Sequence, residues 1–153
     1  MKIVNCKIKN SLKAFTLLEV LLSITIIGII AALSIPTART FLITNDLDIS
    51  ANSVASSFRR ASALSQGVQG DSQWGVRVNT GSIVVFKGTV YAARDPNYDE
   101  TFDIASSITP SGLTEVIFAK LTGLPQSTGT TTLTSSLNSV RNVNINGKGR
   151  VQY

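Results

Sequence analysis

The apolar and polar positions fall into three successive patterns along the chain. From Phe15 to Ile35 the sequence FTLLEVLLSITIIGIIAALSI is almost wholly apolar, broken only by Thr16, Glu19, Ser23, Thr25 and Ser34. As a helix these 21 residues rise roughly 31 Å, about the thickness of a bilayer's hydrocarbon core. Pro36, which lacks an N–H donor, is expected to loosen the helix locally without ending it. Beyond it Leu47, Ala51, Val54, Phe58 and Ala61 repeat at alternating intervals of four and three, one apolar stripe of an amphipathic helix. Asp46, Asp48, Asn52, Arg59 and Arg60 fall off that stripe, so Arg59 and Arg60 read as solvated helix face. Gly67 and Gly70 supply a stop, which predicts one long helix from about Phe15 to Gln66.

After Gly70 the period shortens to two. Trp74, Val76 and Val78 alternate with Gly75 and Arg77, and Asn79-Thr80-Gly81 offers a hairpin turn into Ile83–Phe86. Further β-prone runs are Thr89–Ala93, Phe102–Ile108, Leu113–Leu121, Thr130–Leu133 and Val140–Ile145. Asn146-Gly147 reads as a two-residue turn into Lys148–Tyr153. Between Leu121 and Ser139, 10 of 19 residues are Ser or Thr, which predicts an exposed, mobile loop. A helix followed by about six short antiparallel strands is an α+β arrangement.

Charge changes the picture once it is divided by position. The whole chain carries +5, but Lys2, Lys7, Lys9 and Lys13 precede any acid, so residues 1–14 account for +4 of it and the remainder for +1. An uncompensated cluster of lysines before an apolar run is expected to hold that end in the cytoplasm and to place residues beyond 36 on the far side of the membrane. A secretory signal is the rival, but its apolar core runs about 7–15 residues and lacks an acid. No His and a single Cys exclude a Cys/His zinc site, a Ser-His or Cys-His nucleophile and any disulfide within the chain.

Glu19 stands out. A carboxylate within an apolar helix costs on the order of 2.5–3.5 kcal/mol on insertion scales, and it calls for a compensating partner. No Lys or Arg follows it within a helical turn. The partner must come from the leader, from another chain, or from a newly exposed amine.

Lys13-Ala14-Phe15-Thr16-Leu17-Leu18-Glu19-Val20 resembles the prepilin cleavage motif of type IV pilins and type II secretion pseudopilins. The resemblance implies a leader of residues 1–14, cut between Ala14 and Phe15 by a membrane prepilin peptidase that also methylates the new Phe15 amine. It implies Glu19 as the assembly glutamate, and Gly28 and Pro36 as the helix-loosening pair many members carry. Ala14 departs from the usual Gly, which is expected to slow cleavage without preventing it. The implied fold is a pilin-like ladle: a helix at 15–36 in the membrane or filament core, its amphipathic continuation at 37–66, and a β-rich domain at 67–153. The implied partners are the peptidase/methyltransferase, other pilin or pseudopilin subunits and an inner-membrane assembly platform. The implied location is the bacterial inner membrane, single-pass, and then a pilus or pseudopilus.

Physical chemistry supports the carry-over. Cleavage before Phe15 creates a cationic amine, and an amine and a carboxylate buried together in a helix bundle compensate each other where either alone is penalised. An unpaired Glu19 on one subunit meeting the amine of the next is a head-to-tail contact, which does not close and so builds a filament. Phe58–Ser65 and Trp74–Val78 also resemble the H-type minor pseudopilin and related minor pilins, implying a minor, tip-near or initiating subunit.

Other constellations carry less. Asp95, Asn97 and Asp99 alternate as in a calcium loop, but the positions for Gly and the bidentate Glu hold Glu100 and Ser106, so an EF-hand is rejected and 95–103 reads as a solvated acidic loop. Arg141, Lys148 and Arg150 form a small basic patch resembling the DNA-contacting tail of natural-transformation minor pilins; phosphate contact would make any such affinity salt-sensitive. The plainer reading is a charged edge strand that resists edge-to-edge pairing. No metal, cofactor or catalytic constellation is called for, so an enzyme is not expected. The remaining alternative is a surface domain on an uncleaved anchor.

Overall fold

The computed structural model describes residues 15–153, the side chains of 33–39 excepted. The expected leader, residues 1–14 with Ala14, therefore lies outside the described residues. One helix, α1 (Leu17–Gln66), precedes eight strands: β1 (Trp74–Asn79), β2 (Ser82–Lys87), β3 (Asp95–Asp103), β4 (Thr109–Gly112), β5 (Glu115–Phe118), β6 (Gly129–Thr134), β7 (Val140–Ile145) and β8 (Val151–Gln152). The class is α+β, as the change of period from helical to two predicts, and it fits a pilin-like fold. The helix continues through Pro36, and two compact units divide between Ala38 and Arg39.

In the second unit the strands form two antiparallel sheets rather than one, ordered β3-β2-β1-β5 and β4-β6-β7-β8. The break falls at Gly112–Thr114. Gly112 takes a left-handed φ of +74°, and its Cβ position would lie 2.5 Å from the Thr130 carbonyl oxygen, so only glycine passes there without strain. Thr114 then gives its carbonyl to the Val78 N–H at 2.8 Å, joining the start of the β5 segment to the end of β1.

The predicted stripe is the core face of the helix. Leu47, Ala51, Val54, Phe58 and Ala61 are all buried, and pack with Trp74, Val76 and Val78 of β1, Ile83 and Val85 of β2, and Leu133, Val143 and Ile145 of the second sheet. Phe58 meets Phe118 with ring centroids 6.4 Å apart. The alternate residues of the first sheet, Val84, Phe86 and Ile117, form a smaller cluster on its other face with Tyr91 against the Phe86 ring edge. Gly75 belongs to this face, because a Cβ there would lie 2.5 Å from Ile117 and 2.6 Å from Phe86.

Polar residues fasten the helix at its end. Ser65 is fully buried; its hydroxyl accepts from the Trp74 N–H at 3.0 Å and donates to the Phe118 carbonyl at 3.2 Å. Arg60 is not simply solvated: its guanidinium grips both oxygens of Glu100 on β3. Arg59, by contrast, is exposed, 5.9 Å from the Tyr153 ring.

Four other sequence expectations are corrected. Residues 95–103 are strand β3, not a loop: paired to β2 on one side, this acidic run forms a sheet edge, where charge and Pro96 are tolerated. Thr89–Ala93 is instead a bend and a short 3-10 turn, set by Gly88 at φ +145°. The Ser/Thr-rich stretch holds β6, whose Thr131 and Leu133 are buried, because Thr is a good strand former when one side chain in two faces a core. At the C-terminal hairpin Gly149, not Gly147, takes the left-handed φ of +73°, and the turn spans 146–150. The Asn146 side chain causes this, its oxygen accepting from the N–H of both Lys148 and Arg150 at 3.0 Å.

Candidate functional site

In the first unit the helix exposes large apolar side chains to solvent among the described residues. Leu17, Leu18, Leu21, Leu22, Ile24, Ile27, Ile29 and Ile30 are each more than half exposed, and Phe15 is 77% exposed. A helix apolar on every side is stable only when surrounded by other apolar matter. Its polar side chains sort into two kinds. The Ser23 hydroxyl donates to the Glu19 carbonyl at 2.7 Å and that of Thr25 to the Leu22 carbonyl at 2.8 Å, so both are satisfied by their own helix. The Glu19 carboxylate has no hydrogen-bond or ion-pair partner among the described residues.

Glu19 lies in the first turn of α1, not its middle. Its N–H donates to the Thr16 hydroxyl at 3.2 Å and is also within reach of the Thr16 carbonyl at 3.1 Å, which makes Thr16 the N-cap. Thr16-Leu17-Leu18-Glu19 is thus the Ser/Thr-x-x-Glu spacing of a capping box, with Glu19 at its third helical position. The helix dipole is positive here, an environment that favours the carboxylate. Sequence reasoning identified Glu19 but missed Thr16, although the spacing was there to be read. Gly28 lies mid-helix with no neighbouring atom within 4 Å of a would-be Cβ, an open notch on the apolar surface. Among the described residues no helix is long and apolar enough to cross a membrane; the apolar stretch Phe15–Ile35 runs on into the segment 33–39.

The basic patch is not held together as one group. The Arg141 guanidinium donates to Asp48 on α1 at 2.6 Å, across the edge of the second sheet. Lys148 and Arg150 are exposed in the 146–150 turn and make no ion pair among the described residues. Asp95, Asn97 and Asp99 do not converge either: Asp95 accepts from Asn97, and Asp99 pairs with Arg94 at 2.7 Å. The Asp99 carboxylate raises the pKa of Arg94, through their hydrogen bond above all.

Residues 9–35 match the family model described as the prokaryotic N-terminal methylation motif. The match supports the type IV pilin and pseudopilin family and indicates a prepilin-type protein, processed by a prepilin peptidase. It covers the end of the expected leader, the capped helix start and the apolar run, and none of the strands. No curated protein and no solved structure matches the chain. The expected likeness of Phe58–Ser65 and Trp74–Val78 to H-type minor subunits gains no support from these comparisons.

Proposed function

We propose that this chain is a structural subunit of a type IV pilus or type II secretion pseudopilus, cut between Ala14 and Phe15, methylated at the Phe15 amine and assembled through α1. The observation that carries this reading is a helix that exposes large apolar side chains, with one carboxylate, Glu19, in its capped first turn and without a partner among the described residues. Before assembly, lipid covers the apolar surface, with the leader on the cytoplasmic side and residues beyond the helix's first half outside. In the filament, neighbouring helices cover it. Glu19 then needs a cation, and the Phe15 amine of the adjoining subunit is the one that processing creates. Capping by Thr16 holds the backbone at Glu19 helical, fixing where the carboxylate leaves the bundle axis. The segments 1–14, 15–36, 37–66 and 67–153 serve as leader, filament core, connecting helix and surface domain.

The test is Glu19→Gln, which keeps shape and removes charge. Filaments sheared from cells of the parent should contain the chain, whereas the variant should be processed normally but remain in the membrane fraction. Unchanged incorporation of Glu19→Gln would refute the amine–carboxylate mechanism.

A further inference from the structure

The turn that joins β7 to β8 holds the parts of an acyl-transfer site in a stretch of chain the assembly reading does not use. Asn146 is followed by Gly147, and both are exposed. The Asn146 side-chain oxygen accepts the N–H groups of Lys148 and Arg150, each at 3.0 Å. Two backbone donors aimed at one carbonyl oxygen draw electrons from its carbon, and they stabilise any oxyanion that forms there. The Asn146 main chain is held as well. Its N–H donates to the Arg150 carbonyl at 3.1 Å, and its carbonyl accepts from the Gly149 N–H at 2.9 Å. The turn is fixed around an activated amide.

The nucleophile and the leaving group, by contrast, are uncommitted. Neither the Gly147 N–H nor the Asn146 carboxamide nitrogen makes a hydrogen bond among the described residues. Gly147 has no side chain to shield its nitrogen, and only the Thr128 methyl comes within 4 Å of its would-be Cβ, at 3.9 Å. Nucleophile and electrophile belong to adjacent residues, so their encounter needs no second molecule. Other asparagines lack one part or another. The carboxamide nitrogens of Asn52, Asn97 and Asn144 are tied to Asp48, Asp95 and Thr130. After Asn138 the Ser139 N–H is tied to the Ser135 hydroxyl at 3.2 Å.

We propose that Asn146 is a self-modification site, converted to an aspartyl or isoaspartyl residue by attack of the Gly147 nitrogen. That nitrogen bonds to the Asn146 side-chain carbonyl carbon as it gives up its proton, and the C=O electron pair moves onto the oxygen held by Lys148 and Arg150. The oxyanion collapses, the bond from that carbon to Nδ2 breaks, and the nitrogen takes up the proton and leaves as ammonia. Water then opens the cyclic imide at either carbonyl. The product places a carboxylate beside Lys148 and Arg150. In the isoaspartyl form it also adds a methylene to the main chain, which works against the register that pairs Asn144 with Gln152 and Ile145 with Val151. The exposed turn thus changes charge and shape as the subunit ages, whether or not a filament forms.

The test follows the full-length chain in detergent, held at neutral and at mildly alkaline pH and digested at intervals. The peptide containing Asn146 should gain about 1 Da, the exchange of NH2 for OH, before any other asparagine peptide does. Part of that product should accept a methyl group from a protein isoaspartyl methyltransferase. The rate should rise about tenfold per pH unit, because the attacking nitrogen must lose a proton. In Gly147→Ala it should fall about tenfold, since a Cβ crowds the nucleophile, with the Trp74 emission checking that the fold is kept. It should also fall when guanidinium chloride unfolds the chain and removes the two donors. Conversion as fast or faster in the unfolded chain would overturn the proposal. So would an undiminished rate in Gly147→Ala, or an Asn146 that stays intact while other asparagines convert.

Discussion

The Thr16 hydroxyl accepts the Glu19 N–H at 3.2 Å, so the residue that carries the only carboxylate of the apolar segment is also the residue whose backbone is capped. Thr16→Ala removes the cap and leaves the carboxylate. The first turn should lose about 1 kcal/mol of helical stability, read as faster amide hydrogen exchange at Glu19 and Val20 in micelles. Exchange farther along, at Ile26 and Ile27, should not change.

Ser65 is the joint between the helix and the first sheet. Ser65→Ala takes away the acceptor for the Trp74 N–H and the donor to the Phe118 carbonyl, both in a buried setting. Denaturant unfolding followed by the emission of Trp74, the single tryptophan, should show a loss of about 1–3 kcal/mol.

Gly112→Ala tests the break between the sheets. Its left-handed φ and the Thr130 carbonyl oxygen at 2.5 Å from the would-be Cβ should together cost about 1–3 kcal/mol in the same unfolding measurement. Gly147→Ala, where nothing but the Thr128 methyl lies within 4 Å and φ is ordinary, should cost far less.

Lys120 donates to Asp71 at 2.5 Å, and this hydrogen bond, with the charge attraction behind it, holds the Asp71 pKa below the ordinary 3.8. A depressed folded pKa gives stability that is present above the ordinary value and is lost as pH falls through the depressed one. Asp71 is 88% exposed, so the effect on unfolding is small, and the titration itself is the better readout. The Asp71 carboxyl resonance should titrate below 3.8 in the parent and return towards 3.8 in Lys120→Met.

The sequence makes the helix legible because its two signals are strong and independent. A long, mostly apolar run and a five-member stripe at alternating intervals of four and three leave no competing period, and every stripe residue from Leu47 to Ala61 proves buried. The hairpin at Thr80-Gly81 is equally plain, with Asn79 opposite Ser82 and Gly81 at φ +82°. β3 is hidden because an edge strand need not alternate: Asp95–Asp103 is ordered by pairing along one side, and its side chains are mostly in solvent. The C-terminal turn misleads because Asn146 acts through its side chain rather than through a positive φ, which moves the glycine requirement two residues on. At the candidate site the chemistry of Glu19 is written in the sequence. The ties of Arg60 to Glu100 and Arg141 to Asp48 join residues 40 and 93 positions apart and depend on how the sheets wrap the helix.

Whether Phe15 becomes the amine that Glu19 meets is read from the intact mass and N-terminal sequence of the protein from its own membranes. The chain should begin at Phe15 and be heavier by one methyl group. A chain that still begins at Met1 would contradict it, because the cation that Glu19 requires would never have been made.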